Sequence, residues 1–152
     1  MTRWGHRGRS RGFVRDRNGN LTVFDAPNAV QTFSLSINDG GDVAGDLDES
    51  QGKERGFVRD RNGNFTVFDA PNAFRTFTVG INNGGDVAGY LDESQGKERG
   101  FMRDRNGNFT VFDAPNASIT LSYSTNAGGD VTGFFFDASR ANKQRGFVRS
   151  AH

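Results

Sequence analysis

Arg55-Gly-Phe-Val-Arg-Asp-Arg-Asn-Gly-Asn64 is the stretch that determines how this chain is organised. The same ten residues occur at positions 11–20, and they return at 99–108 with Met102 in place of the valine. A fourth copy begins at Arg145 and stops after Arg149, so that the copies start 44, 44 and 46 residues apart. A fixed period of this length indicates a repeat architecture.

Each repeat carries the signals of four short strands. Asn18-Gly19 and Gly40-Gly41 predict tight turns, whereas Pro27 cannot continue a strand ladder. The segment 48–54 is charged and is predicted to be a long loop into the next copy. The strands predicted in the first copy are Gly12–Asp16, Leu21–Asp25, Thr32–Asn38 and Asp42–Leu47.

The repeats divide the chain into a tail and a single domain. Residues 1–10 are predicted to be a flexible basic tail, and residues 11–152 form one repeat domain. The copies are 11–54, 55–98 and 99–144, followed by a closing strand at 145–149, which gives thirteen strands. The first two copies are identical at 36 of 44 positions, a degree of identity typical of a recent duplication or an engineered array.

Adjacent apolar residues within the strands bear on how the sheets are covered. Phe57 and Val58 are neighbours, as are Val67 and Phe68, and such pairs require burial on both faces of a sheet. Stacked sheets of a propeller give this environment to an antiparallel meander. The fold class predicted is therefore all-β, with antiparallel four-stranded blades of a β-propeller and about three repeats of 44 residues per chain. A β-solenoid and a β-sandwich are the alternatives.

Composition restricts the partners. The net charge is +1, from 19 basic and 18 acidic residues, so no nucleic-acid partner is predicted. There is no cysteine, hence no disulfide or thiolate metal site. No apolar run approaches the roughly 18 residues of a membrane helix, so no membrane partner is predicted, and the N-terminus does not resemble a signal peptide.

A family resemblance follows from three segments of the chain. The segments Ile81-Asn-Asn-Gly-Gly-Asp-Val-Ala-Gly-Tyr90, Arg99-Gly-Phe-Met-Arg-Asp104 and Phe109-Thr-Val-Phe-Asp113 resemble the HAF-type extracellular repeat family. The resemblance covers nearly the whole chain from residue 11, although Arg99-Gly-Phe stands where that family often has His-Ala-Phe. It implies a bacterial, often exported, propeller-like protein without an assigned activity, and hence an extracellular location. It supplies no catalytic residues.

Three repeats are few for a closed propeller, which usually has about four to eight blades. Two chains would supply six blades around a two-fold axis. Because the chain starts and ends with the same type of strand, a terminal strand could complete a blade begun elsewhere. We therefore predict a homo-oligomer, with a dimer as the first expectation. A fragment of a longer propeller and an engineered array remain open alternatives.

Candidate binding residues lie on the loops at one end of the repeats. In a meander the Asn-Gly and Gly-Gly turns share one end, and the Asp-Ala-Pro-Asn loop and the charged loop share the other. Repeated carboxylates and amides there could contact sugar hydroxyls or a cation, whereas the structural alternative is that they form Asx-type turns. These ligand-binding candidates are Asp25, Asn28, Asp69, Asn72, Asp113 and Asn116.

Two further patterns favour structural interpretations. Asp60-Arg-Asn-Gly-Asn64 has the Asp-x-Asn-x-Asn spacing of a calcium loop but lacks its bidentate Glu, and the hairpin alone explains it. No metal and no cofactor are predicted. The repeated arginines suggest a salt-bridged strand edge rather than a phosphate site; they are Arg15, Arg59, Arg103, Arg149, Arg17, Arg61 and Arg105.

Enzyme chemistry has little support in the sequence. The two histidines, His6 and His152, are both terminal, and the carboxylates repeat like scaffold residues. A glycosidase needs two carboxylates in different environments, and near-identical repeats do not provide them. The third copy differs from the other two in having Tyr123 and Phe134 to Phe136, so an asymmetric site would be expected there. We therefore predict no enzyme and no catalytic residues, but a repeat scaffold or interaction module for a protein ligand. A lectin-like carbohydrate-binding propeller is the alternative, and a glycoside hydrolase ranks below it.

Overall fold

The computed structural model describes residues 8–50, 52–94 and 96–151, and in these ranges thirteen β-strands and one short 3₁₀ turn make up the regular structure. The strands are β1 (Gly12–Arg15), β2 (Leu21–Phe24), β3 (Gln31–Ile37), β4 (Val43–Glu49), β5 (Lys53–Arg59), β6 (Phe65–Phe68), β7 (Arg75–Ile81), β8 (Val87–Asp92), β9 (Glu98–Arg103), β10 (Phe109–Phe112), β11 (Ala117–Thr125), β12 (Val131–Asp137) and β13 (Lys143–Arg149), and the 3₁₀ turn is Ala138–Arg140. Within these ranges no helix is long and apolar enough to cross a membrane.

The strands form four antiparallel sheets in chain order. The N-terminal sheet is the hairpin β1–β2, the first four-stranded sheet is β3–β4–β5–β6, and the second is β7–β8–β9–β10. The C-terminal sheet has three strands, β11–β12–β13. The predicted all-β class and antiparallel pairing are confirmed. The propeller arrangement remains a prediction, because no closed ring of sheets is found in the described part of the chain.

The sheets are out of phase with the sequence repeat. Each four-stranded sheet takes the last two strands of one repeat and the first two of the next. The Asp-Ala-Pro-Asn loop causes this offset, because Pro27 ends the ladder after β2 and the chain moves to the next sheet. The turns within a repeat keep their flanking strands in one sheet.

The prediction of a long charged loop at residues 48–54 is wrong. Strand β4 continues to Glu49 and β5 begins at Lys53, so only residues 50–52 connect them. Glu49 lies opposite Lys53 in the register, and opposite charges on facing strands favour the ladder. The predicted fourth strand, which ended at Leu47, was therefore too short. In the third repeat the predicted loop 137–144 shrinks similarly, to residues 138–142.

Successive sheets pack through their first strands. Strand β7 contacts β3, β4 and β5 of the preceding sheet, and β11 contacts β7, β8 and β9 in the same way. One apolar cluster lies between the N-terminal sheet and the first four-stranded sheet, and a second lies between the two four-stranded sheets; Phe57 and Phe101 are fully buried in them. The ring of Phe57 meets those of Phe24 and Phe65 at centroid distances of 6.5 and 5.5 Å. Aromatic side chains from consecutive sheets therefore form the core.

Glycine is required in β4 and β8, the second strands of the two four-stranded sheets, because the backbone of the first strand approaches closely there. A β-carbon at Gly89 would lie 2.0 Å from the carbonyl oxygen of Phe77, and one at Gly45 would lie 1.9 Å from that of Phe33. Both glycines adjoin an irregularity in the register of the first strand. Any side chain here would force the two strands apart.

The described end of the predicted tail is attached to the fold. Residues 1–7 of that tail lie outside the described residues. The amide of Thr32 donates to Ser10 O at 3.0 Å, and Gln31 Nε2 donates to Gly8 O at 3.2 Å. Arg9 lies 3.6 Å from the carboxylate of Asp25. Residues 8–10 thus contact the start of β3 and the loop after β2, and the flexibility of the tail as a whole remains a prediction.

Candidate functional site

The predicted ligand-binding residues lie in a loop that occurs three times, after β2, β6 and β10. In the first copy the amide of Ala29 donates to Ala26 O at 3.2 Å and closes a turn. The asparagine of this turn has a left-handed backbone, which Asn adopts more readily than most residues. Asn28, Asn72 and Asn116 have φ of 59°, 59° and 60°. The turn geometry alone thus explains why Asn occupies these positions.

Each aspartate of the loop forms an ion pair with an arginine 14 residues earlier. Arg55 Nε donates to Asp69 Oδ1 at 3.1 Å, and this bond is the main reason why the pKa of Arg55 is raised. The pairs Arg11–Asp25 and Arg99–Asp113 have the same distance. The aspartate side chains therefore bind a guanidinium. The Asx-type alternative predicted instead that they would accept hydrogen bonds from their own backbone.

A second carboxylate joins two of these pairs. Arg55 Nη1 lies 3.3 Å from Glu49 Oε1, and Arg99 Nη1 lies 3.6 Å from Glu93 Oε1. Through these contacts the turn after β4 or β8 and the Asp-Ala-Pro-Asn loop lie at the same end of the sheet, as expected for a meander. At the opposite end the amide of Arg61 donates to Asp42 Oδ1 at 3.3 Å, which joins the Asn-Gly and Gly-Gly turns.

The charges at this end suit polar ligands better than cations. One guanidinium lies between two carboxylates, so an incoming cation would compete with an arginine that is already bound. In the described ranges no group of three or more His, Cys, Asp or Glu side chains is placed to hold a metal ion. The paired groups keep hydrogen-bonding capacity for neutral hydroxyls, because the aspartate side chains stay about one-third exposed.

The second four-stranded sheet carries an ionic cluster that sequence reasoning missed. Arg75 Nε donates to Asp92 Oδ2 at 3.0 Å, and Asp92 is buried. Glu98 lies opposite Asp92 in the register. Burial raises the pKa of Glu98, the charge of Asp92 raises it further, and Arg75 opposes the shift. The signal was present in the sequence, since Arg75 replaces Gln31 and is one of the few differences between two otherwise identical repeats.

The calcium-like segment is a closed hairpin. Asp60 Oδ1 accepts hydrogen bonds from the amides of Asn62 and Asn64 at 2.9 Å, and Asp60 Oδ2 accepts one from Asn64 Nδ2 at 3.0 Å. The side-chain bond from Asn64 is the main reason why the pKa of Asp60 is lowered. Both carboxylate oxygens thus serve the turn, which agrees with the hairpin interpretation.

The repeated arginines stack on phenylalanine rings. The guanidinium carbons of Arg59, Arg103 and Arg149 lie 4.7, 4.5 and 4.9 Å from the ring centroids of Phe24, Phe68 and Phe112 in the preceding sheet. The predicted salt-bridged edge is therefore wrong for these three residues, because their side chains pack between sheets.

The third repeat is asymmetric in its aromatic side chains, as the sequence indicated. Tyr123 stacks on Tyr90 and on Phe134, at centroid distances of 6.1 and 5.4 Å. Phe135 is buried in the C-terminal sheet. The stack links the second and third repeats and accounts for these residues as packing groups.

The outer sheets present a second candidate surface. Phe13 of β1 is 58% exposed, whereas Phe57 and Phe101 at the same repeat position are fully buried. Ile37 of β3 is 54% exposed against 8% for the equivalent Ile81. A cavity of about 310 Å³ opens between β1 and β3, lined by Phe13, Val14, Arg15, Ser34, Leu35, Ser36, Ile37 and Val43. At the other end of the array, Val148 of β13 is 73% exposed.

Comparisons of the chain with models of known protein families, with curated proteins and with solved structures gave no match. The similarity to HAF-type repeats therefore remains a resemblance of sequence motifs.

Proposed function

We propose that this chain is a non-enzymatic, β-propeller-like repeat scaffold that assembles into a homo-oligomer and serves as an interaction module. The observation that carries the proposal is the contrast between inner and outer sheets. Phe57 and Phe101 are fully buried, whereas Phe13, at the same repeat position, is 58% exposed. Exposed apolar side chains that cluster in this way mark protein–protein contact sites.

The packing of consecutive sheets supports a propeller-like array. Strand β7 packs against the first four-stranded sheet as β11 packs against the second, so the two junctions have the same arrangement. Arrays of this kind require a polar cap on their terminal units to stay soluble. The outer sheets expose Phe13, Ile37 and Val148 instead, which favours their burial against another copy.

The repeated charges support a scaffold rather than an enzyme. The predicted ligand-binding aspartates, Asp25, Asp69 and Asp113, each pair with the arginine at the same position of the repeat. General acid and base catalysis by two carboxylates requires environments that separate their pKa values. The three aspartates instead share one kind of environment, an ion pair with an arginine.

The mass in solution tests the proposal. Light scattering on a sizing column is expected to give a mass near twice 16.6 kDa for a dimer, and a higher multiple for a larger ring. The apparent mass should fall on dilution, because mass action favours dissociation of a non-covalent oligomer at low concentration. A mass of 16.6 kDa at every concentration would contradict the proposal.

Carbohydrate binding is the second candidate, and the repeated loop favours it. Arginine and aspartate side chains stand at one end of the molecule in three equivalent, partly exposed pairs. A glycan array should then show binding that is reduced by Asp25→Asn, Asp69→Asn and Asp113→Asn together. Asp39→Asn at the opposite end is the control and should bind normally. A glycan array without reproducible binding contradicts this role.

A further inference from the structure

The C-terminal sheet has the edge of a four-stranded sheet without the fourth strand beside it. We propose that β2 of one copy pairs with β13 of a second copy, in place of its own β1, to complete the sheet β11–β12–β13–β2. This inference rests on the homo-oligomer proposed above and names the surfaces that form it.

The two competing strands have the same sequence. Strand β1 reads Gly-Phe-Val-Arg from Gly12, and β13 ends with the same four residues from Gly146. In the first four-stranded sheet, this sequence pairs with the fourth strand in the register Gly56 to Phe68 through Arg59 to Phe65. Strand β2 uses the equivalent register on β1. It can therefore pair with β13 through the same positions.

A space for one phenylalanine ring is open on β13. A β-carbon at Gly12, Gly56 or Gly100 would lie 2.3, 2.4 or 2.9 Å from the phenylalanine ring of the adjoining strand, which is β2, β6 or β10. At Gly146 the nearest atom would be Gly133 O, at 3.8 Å. Gly146 is exposed, whereas Gly56 and Gly100 are buried. Phe24 of a second copy would cover Gly146 as its equivalents cover the other glycines.

The charges beside this space are complementary. In each four-stranded sheet, one arginine pairs with two carboxylates. The first carboxylate precedes the third strand and the second follows the fourth strand; they are Glu49 and Asp69 for Arg55, and Glu93 and Asp113 for Arg99. Arg145 has the first kind of partner, Asp137, at 3.1 Å. The second kind of partner would come from Asp25, which directly follows β2. The exchange would give Asp25 the guanidinium of Arg145 in place of that of Arg11.

The exchange preserves strand pairing. Strand β2 gives up four paired positions on β1 and regains four on β13. The displaced β1 is short, and its Phe13 is largely exposed already. The reverse exchange, with β1 of one copy replacing β13 of the other, would give up the seven paired positions between β12 and β13. Displacement of β1 is therefore the favoured route.

Completion of this sheet also covers the apolar residues with which β3 lines the cavity. Within the chain, β4 contacts β7 and β8 contacts β11, so the second strand of each sheet lies against the next first strand. In the composite sheet, β12 of the second copy would lie against β3 and cover Leu35 and Ile37. The contact is head-to-tail, so two copies can close a ring of six four-stranded sheets.

Cysteine pairing tests the inference, and the chain has no cysteine to interfere. Asp16 N donates to Asn20 O, so the next pair, Arg15 and Leu21, is a closely spaced non-hydrogen-bonded pair. In the composite sheet Arg149 takes the place of Arg15. Leu21→Cys and Arg149→Cys, mixed as two single variants and oxidised, should give a covalent dimer in higher yield than either variant alone.

The matched control is Arg15→Cys with Leu21→Cys in one chain. Its disulfide holds β1 on β2, so this variant should stay monomeric when oxidised and assemble again when reduced. Assembly in the oxidised control would overturn the inference, as would a disulfide within one chain of the double variant Leu21→Cys, Arg149→Cys. An oligomer without the mixed disulfide would overturn the inference and leave the proposed scaffold intact. A monomer at every concentration would overturn both.

Discussion

The guanidinium carbon of Arg103 lies 4.5 Å from the ring centroid of Phe68, and the two residues belong to consecutive sheets. Arg103 is on the third strand of the second four-stranded sheet, and Phe68 is on the fourth strand of the first. Burial lowers the pKa of Arg103, which Asp104 partly offsets. The arginine that repeats in the sequence is therefore a packing group between sheets.

Arg103→Ala is expected to reduce the free energy of unfolding by about 0.5–2 kcal/mol, because it removes a cation–π contact and the packing of the side-chain stem. Denaturant titration measures the change. Arg105→Ala is the control, since it removes the same charge from an exposed position two residues away. Equal effects of the two substitutions would show that net charge, rather than stacking, is responsible.

Thr76 holds the loop between two sheets by a buried hydrogen bond. The amide of Ala70 donates to Thr76 Oγ1 at 2.9 Å, and both residues are buried. Thr76→Val preserves the shape but leaves this amide without its acceptor, so we expect a loss of about 1–3 kcal/mol in the free energy of unfolding. Thr66→Val, at an exposed position of the first four-stranded sheet, should have little effect. A thermal or denaturant unfolding curve for Thr76→Val that matches the original chain would contradict the assignment.

Strands and turns could be predicted because their causes are local. Asn18-Gly19 and Pro27 act through the conformations of their own backbones, and the structure has the hairpin and the break there. The sheet that a strand joins is not local information. Stacking of Arg103 on Phe68 depends on two sheets meeting, so the sequence pattern alone suggested a salt-bridged edge.

The candidate site shows the same division. The position of Asp69 after a short strand was predictable, whereas its partner was not. Arg55 is 14 residues away and reaches Asp69 because β5 and β6 are paired. Arg75 could have been noticed as a substitution for Gln31, but its carboxylate partner on β8 becomes apparent only when the register is known.

Asn72 separates the structural role of the loop from a binding role. Its φ of 59° costs alanine more than it costs asparagine or glycine, so Asn72→Ala should lower the free energy of unfolding by about 1 kcal/mol. Asn72→Gly accepts this conformation and should remain within about 0.5 kcal/mol of the original chain. Unfolding curves of the two variants measure the difference. Equal losses would indicate that the amide side chain, rather than the backbone conformation, stabilises the loop.

The raised pKa of Glu98 predicts that stability depends on pH, and one substitution can isolate this contribution. Burial and the charge of Asp92 raise the pKa of Glu98 above its ordinary value of 4.5, and Arg75 only partly opposes them. The folded chain therefore holds the proton more tightly than the unfolded chain, and its stability falls as the pH rises from 4.5 through the raised pKa. Glu98→Gln removes this cost, so the variant should be more stable than the original chain at pH 7.

The gain from Glu98→Gln should disappear at acid pH. Well below pH 4.5 the carboxyl group of Glu98 is protonated in both the folded and the unfolded chain, and the glutamine then has no advantage. Denaturant titrations of the variant and the original chain, at pH values from below 4.5 to 7, measure the difference in their free energies of unfolding. Glu93→Gln is the control, because Glu93 lies 3.6 Å from Arg99 and its loss should not stabilise the fold. A gap for Glu98→Gln that is constant with pH would mean that packing, rather than ionisation, distinguishes the two side chains.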